Sequence, residues 1–222
     1  MDQNVILVET VPLEFDLESL GCRLRIRPGQ TKFMDRLSRL AEEAARVARP
    51  KAVARLCGLT ILDEEKVQVG EVTFSSPLLR QKMDGLGRAF PYLASEGMEL
   101  ADWSLSLSSS LEQVFASALR EVAVQQAENL LERTLLERYG IAQVSAMNPG
   151  SLKVWSLEEQ VPLFELLAPL PEKLGVTLLP SLMMRPEYSV SGVFFQTDSK
   201  FYNCQLCPKK ECPNRRTPSL VT

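Results

Sequence analysis

SSLEQVFASALREVAVQQAENLLERTLLERYG, residues 109–140, carries Leu111, Val114, Phe115, Ala118, Leu119, Val122, Ala127, Leu130, Leu131 and Leu135 on one wide apolar stripe. Steps of three and four residues along such a stripe belong to a helix with a buried face. Ser110 is the expected N-cap, and Gly140 sits where a helix-ending glycine belongs. The helix expected from Ser109 to Tyr139 is roughly 40 Å long at about 1.5 Å per residue. An element so long and apolar reads as the central brace of a single domain.

Working outward, Asn4–Val11 is rich in β-branched residues and is expected to be a strand. Thr31–Ala48 is expected to be a helix burying Phe33, Leu37, Leu40, Ala44 and Val47, and Pro50 stops it. Ala52–Ile61 and Val67–Phe74 read as two strands flanking the polar turn Asp63–Lys66. Ser75–Gly85 reads as a short helix capped by Ser76 with Pro77 in its first turn, and Ala89–Ala94 as a further strand. Beyond the long helix, Ser145–Lys153 is expected to be a loop. Ser156–Leu167 opens with a capping box, Ser156 and Glu159, and should bury Val161, Leu163, Phe164, Leu166 and Leu167. Val176–Met183 and Val190–Gln196 read as two more strands. Strands and helices mixed in this way, without repeats or low-complexity linkers, predict an α+β fold in one domain.

The bulk numbers narrow the function. The chain has 222 residues, 45% hydrophobic and 24% charged, enough for a buried core without disulfides. A net charge of −3 is too mild to argue for nucleic acid or an anionic membrane as partner. No apolar run approaches the roughly 20 residues of a membrane span. Met1–Pro12 lacks the pattern of a secretory signal, so a cytoplasmic location is expected. There is no histidine, which excludes Ser–His–Asp, Cys–His and His-ligated zinc-hydrolase mechanisms.

The tail reads Phe201-Tyr-Asn-Cys204-Gln-Leu-Cys207-Pro-Lys-Lys-Glu-Cys212-Pro-Asn-Arg-Arg216. A C-x2-C pair brings two thiolates to one metal through a tight turn, and C-x4-C adds a third. Lys209, Lys210, Arg215 and Arg216 would favour the thiolate forms. With three ligands in one loop, the fourth position falls to Cys57, Cys22, a partner's residue or a substrate. The candidate metal ligands are therefore Cys204, Cys207 and Cys212, for an iron–sulfur cluster or, alternatively, zinc. Uncoordinated thiols in a loose tail are the plain alternative.

Just before that tail stands Pro180-Ser-Leu-Met-Met-Arg-Pro-Glu-Tyr-Ser189-Val-Ser191-Gly192-Val-Phe-Phe, followed by Asp198-Ser-Lys-Phe-Tyr202. This resembles the activation domain of cobalamin-dependent methionine synthase, where an S-V-S-G strand precedes a D-S-K-Y-Y run. The long helix, the Pro149-Gly150 loop and the helix beginning Trp155-Ser-Leu-Glu-Glu-Gln160 follow the same order. Phe74-Ser-Ser-Pro-Leu-Leu to Ala94-Ser-Glu-Gly97 is similar to stand-alone relatives of that domain, and the resemblance runs from Val67 to Tyr202. It implies a bent antiparallel sheet with a long central helix and flanking helices. Residues 1–200 would be the activation domain-like part and 201–222 a Cys-rich tail of the kind stand-alone corrinoid-associated relatives carry.

The resemblance also implies a role. Such a domain docks on a cobalamin carrier whose cobalt has been oxidised to cob(II)alamin, and it binds S-adenosylmethionine. The implied cofactor-facing residues are Ser189, Ser191, Gly192, Tyr202, Asn148, Pro149, Gly150 and Glu128. Four positions depart from the pattern. The family's loop arginine and tyrosine correspond to Ala146 and Ser151, its helix glutamate to Val124, and the first tyrosine of its pair to Phe201. Each lost charged hydrogen bond removes about 1.5–3 kcal/mol, so S-adenosylmethionine is not the expected ligand unless Glu128, Glu132 and Asn148 replace the missing contacts. A solvated helix face is the plain reading of Glu128 and Glu132. The expected function is an accessory one in a corrinoid methyltransferase system, supporting the return of cob(II) to cob(I). The alternatives are a methyl-transfer enzyme using S-adenosylmethionine and a metal-stapled scaffold without chemistry.

Overall fold

Strand β6 (Arg88–Ser95) is buried along nearly its whole length, with a neighbouring strand on each edge and a helical layer on each face. The computed structural model describes residues 3–209, 215 and 217–220. On one edge β6 pairs with β2 (Lys51–Arg55) and β3 (Cys57–Ile61), and on the other with β10 (Ser189–Gln196). Strand β1 (Val5–Val8) adds to β2, and β7 (Val144–Met147) adds to β10. Strands β4 (Lys66–Val69) and β5 (Val72–Ser75) extend the sheet from β3. All these pairings are antiparallel, and together they make one bent sheet. A separate ribbon joins β8 (Thr177–Leu178) to β9 (Met184–Arg185).

Period-two alternation divides β6 between two cores. Ala89 and Leu93 join Val53, Val193, Phe195 and Trp155, under helices α3 (Pro77–Lys82), α6 (Gln160–Leu167) and α7 (Leu170–Leu174). Phe90, Tyr92 and Ala94 point the other way, onto Ala127, Leu131 and Leu135 of helix α5 (Ser110–Tyr139). The N-terminal half of α5 leaves the sheet. There Phe115, Ala118, Leu119 and Ala123 pack on α2 (Thr31–Val47) and α4 (Met98–Ser106), with α1 (Leu17–Arg23) alongside. The long helix is thus the brace its stripe predicts, and the α+β single domain is as expected.

One ion pair fastens that brace. Glu96, at the end of β6, is fully buried and takes two hydrogen bonds from Arg120 of α5, Nε to Oε2 at 2.7 Å and Nη2 to Oε1 at 2.6 Å. The Tyr188 amide donates to Glu96 Oε1 at 3.2 Å, and the Arg120 guanidinium stacks over the Tyr188 ring at 4.4 Å. Burial holds the Glu96 carboxyl above the usual carboxylate range, and the bonds from Arg120 oppose that rise.

Several local expectations need correction. Ala52–Ile61 is two strands, because the interval Arg55–Leu56 lies opposite Pro91, which has no N–H to offer the ladder. Val67–Phe74 is likewise split at the Gly70-Glu71 turn. Ser145–Lys153 is not all loop, since β7 fills its first part through pairing with β10. Val176–Met183 keeps only the two strand residues of β8. Ser109, not Ser110, is the N-cap of α5 and makes no side-chain bond there. The Ser156–Glu159 capping box does not form. Ser156 turns to Glu158, and Glu159 reaches across to accept from the Ser75 amide at 3.1 Å. Phe33, Val114 and Val161, expected inside, are exposed.

Replacing Arg120 by Met should lower stability to urea by about 3–5 kcal/mol, because it strands a buried carboxylate. The pH dependence has a definite sign. With the opposing bonds gone, Glu96 is raised further in the folded state than in the unfolded chain. The folded form then holds the extra proton, and the variant loses stability as pH rises above the ordinary glutamate value of about 4.3. The deficit of R120M relative to wild type should therefore be smaller at pH 5 than at pH 8. An equal deficit at both contradicts this origin.

Candidate functional site

Where α5 crosses β10 and β7, the chain's end folds back and closes a cavity of about 260 Å³. Gln125, Glu128 and Glu132 line it from successive turns of α5, Ala146 and Asn148 from β7 and just beyond, and Val190 and Phe194 from β10. The last wall is the segment Lys200–Cys204. Two of the three α5 residues come from i, i+4 spacing, which stacks Glu128 and Glu132 on one face.

The polar side chains form a directed chain of hydrogen bonds. Asn203 Nδ2 donates to Asn148 Oδ1 at 3.0 Å, and Asn148 Nδ2 donates to the Tyr92 hydroxyl and to the Ser191 carbonyl, each at 2.8 Å. Tyr92 in turn donates to Glu128 Oε1 at 2.7 Å, and Glu128 Oε2 accepts from Gln125 at 2.9 Å. Beneath this chain the Tyr92 ring stacks on Phe194 with centroids 3.9 Å apart. Lys200 pairs with Glu132, and its ammonium lies 5.9 Å from the Tyr202 ring centroid.

Gly192 makes the arrangement possible. A Cβ there would press on the Met147 carbonyl and lie 2.6 Å from Asn148 Nδ2 and 2.9 Å from the Tyr92 ring. The glycine of the S-V-S-G stretch is thus a requirement of close packing between β10, Asn148 and Tyr92.

The residues singled out in the sequence meet only in part. Glu128, Asn148 and Tyr202 line the cavity, Ser191 joins through its carbonyl, and Gly192 lies behind it. Ser189 sits at the other end of β10, where its hydroxyl bonds Ser95 and the Pro186 carbonyl. Pro149 and Gly150 turn the chain away, and Gly150 holds a left-handed φ of 76°. Glu128 and Glu132 are not a free solvated face, since each has a partner. Ala146, where the resemblance leads one to look for an arginine, does line the cavity and brings no charge to it. Val124 packs in the core beside it, and Ser151 is exposed. Tyr92, Gln125, Lys200 and Asn203 were missed. The one available signal for Tyr92 was a hydroxyl set in an otherwise apolar strand.

Cys204 lines the cavity, and Cys207 follows one turn later, its amide 3.4 Å from the Cys204 carbonyl. Both are free thiols and half-buried. The carbonyls around them are capped from further along the chain. Arg215 donates to the Cys204 carbonyl at 3.1 Å, the Leu220 amide to Gln205 at 2.7 Å, and Ser219 to Cys207 at 3.1 Å. Cys212 lies outside the described residues, and among those described no three His, Cys, Asp or Glu side chains converge as a metal-binding group. No helix among them is long and apolar enough to cross a membrane. A larger and more open groove, about 540 Å³, runs between residues 11–16 and α5. It contains none of the candidate cofactor or metal residues.

Among solved structures the fold is similar to one described as the MetH reactivation domain bound to AdoHcy, with a TM-score of 0.61 over 89% of this chain and 80% of that one. Sequence identity is 17%, so the likeness is one of fold. No protein-family model and no curated protein matches the chain.

Changing Gly192 to Ala should lower stability by about 1–3 kcal/mol through overpacking. Changing Tyr92 to Phe should lower it by a similar amount, about 1–3 kcal/mol, by leaving Asn148 and Glu128 short of a partner. Urea unfolding checks both, and a G192A chain as stable as wild type contradicts the packing described.

Proposed function

We propose that this chain is an accessory protein of a corrinoid-dependent methyl-transfer system, which docks on a cobalamin-carrying partner and supports its reductive reactivation. The observation that carries this reading is the fold likeness to the MetH reactivation domain, joined to the S-V-S-G strand and the Asp198–Tyr202 run. That strand and the end of that run form two walls of the same cavity. The reaction served is a one-electron reduction, in which cob(II)alamin on the partner takes an electron from an external low-potential donor and becomes cob(I)alamin.

Cys204, Cys207 and Cys212 are the candidates to hold an iron–sulfur cluster for that electron, or else a zinc ion that stiffens the tail. What supports a metal is the thiol spacing and the capped backbone around Cys204 and Cys207. Four basic residues, Lys209, Lys210, Arg215 and Arg216, would offset the charge of a thiolate centre.

A second reading places an S-adenosyl ligand in the cavity, with Glu128, Glu132 and Asn148 as its polar contacts. Their convergence on one cavity favours it. Two observations weigh against it. The cavity's 260 Å³ falls under the roughly 300–1,000 Å³ usual for small-molecule sites. Among the described residues the one lysine or arginine lining it, Lys200, is already paired with Glu132.

Purified chain, prepared anaerobically, should accelerate the reduction of a cob(II)alamin-loaded carrier domain by a chemical reductant at least tenfold, and bind that carrier in a pull-down. Reconstitution with iron and sulfide should give an EPR signal on reduction that C204S and C207S each abolish. Failure to bind any of a panel of cobalamin carriers overturns the docking role, while iron-free protein with no signal overturns only the cluster. Calorimetric titration with S-adenosylhomocysteine should give no heat at millimolar ligand; a clear binding isotherm favours the second reading.

A further inference from the structure

The cavity's outer wall and the cysteine turn are one continuous stretch of chain, Lys200 to Cys207. That stretch is attached by a short series of polar contacts. Lys200 pairs with Glu132 on α5, the Phe201 amide donates to Ser145 Oγ on β7 at 2.7 Å, and Asn203 donates to Asn148 at 3.0 Å. Two apolar side chains accompany them, the buried Phe201 ring under the Lys82 ammonium at 4.7 Å and the partly buried Leu206, both packed on the core cluster of Leu93 and Val193. The seat is also imperfect. Asn203 Oδ1 is buried without a hydrogen-bond partner, a loss that leaving the seat for water would relieve.

We propose that Lys200–Cys207 is a displaceable strap that shuts the cavity, so that access to the cavity and access to the Cys204 thiol are set by the same movement. Three walls of the cavity belong to the sheet and to α5, whereas the strap joins no strand ladder and is held by these three polar contacts and by Phe201 and Leu206. Cys204 is part of the wall, so whatever the thiol carries stands at the cavity's mouth. A group bound at Cys204 and a ligand bound in the cavity then alter each other's affinity by the same factor, as any two sites coupled through one two-state element must. In this way the cysteine motif gates the cavity in addition to any metal it holds. As regulation of the proposed corrinoid-facing site this rests on that reading, but the strap is tested without a corrinoid partner, so the two can fail separately.

The test is the rate of N-ethylmaleimide addition to each cysteine of the full chain, read by peptide mass spectrometry. A strap variant, K200M with N203A, leaves every wall of the rigid body as it is. Exposed Cys22 and buried Cys57 serve as internal references. Each rate is divided by that of the same variant in concentrated urea, which removes the effect of the substitutions on intrinsic thiol reactivity. The expected result is a rise of tenfold or more at Cys204, with Cys22 and Cys57 unchanged. A Cys204 rate within twofold of wild type overturns the proposal. A parallel rise at Cys57 also overturns it, because it shows that the segment locks the whole domain and not the cavity alone.

Discussion

A carboxylate and a guanidinium, Glu96 and Arg120, are taken out of water together at the point where three parts of the chain meet. Glu96 directly follows the central strand, Arg120 belongs to the half of α5 that has left the sheet, and Tyr188 leads into β10. Hydrophobic packing alone is non-directional and would let α5 slide along the sheet. A bidentate charged pair fixes its register, since any shift breaks both hydrogen bonds in a low-dielectric setting. Fixing that register sets which face of α5 is presented over the next turns, where Gln125, Glu128 and Glu132 reach the cavity.

The same constraint acts through β10. Its start is held near Glu96 by the Tyr188 amide, and its middle passes Tyr92 at Gly192 without a side chain between them. The Tyr92 hydroxyl and the Asn148 amide can therefore meet behind the strand and relay to Glu128. The cavity is thus assembled by pieces distant in sequence, each placed by the sheet and held by one directed hydrogen-bond chain. Only its outer wall comes from the chain's end.

How legible this was in the sequence depends on whether a residue's role is local. The stripe on α5, Val114 apart, and the cap at Ser76 are local patterns and appear as read. The break opposite Pro91, the strand β7 inside an expected loop and the failed Ser156 cap are set by partners far along the chain. No local pattern announces them. The site divides the same way. Glu128, Asn148, Gly192 and Tyr202 could be singled out from motifs and resemblance, and they do gather around the cavity. Tyr92 stands inside an apolar run and Arg120 belongs to no motif, and only the fold reveals that their polar ends are used. Ser189 belongs to the motif by sequence, yet its hydroxyl serves the β6–β10 pairing.

The central claim is that the face bearing the cavity and the cysteine turn meets a cobalamin carrier. Hydrogen–deuterium exchange on the full chain, with and without a cob(II)alamin-loaded carrier domain, tests it most directly. The account predicts slower exchange on binding at Asn148–Gly150 and across 198–207, with the α1–α2 region on the far half of α5 unaffected. Protection confined to α1 and α2, or none anywhere at saturating carrier, would contradict it.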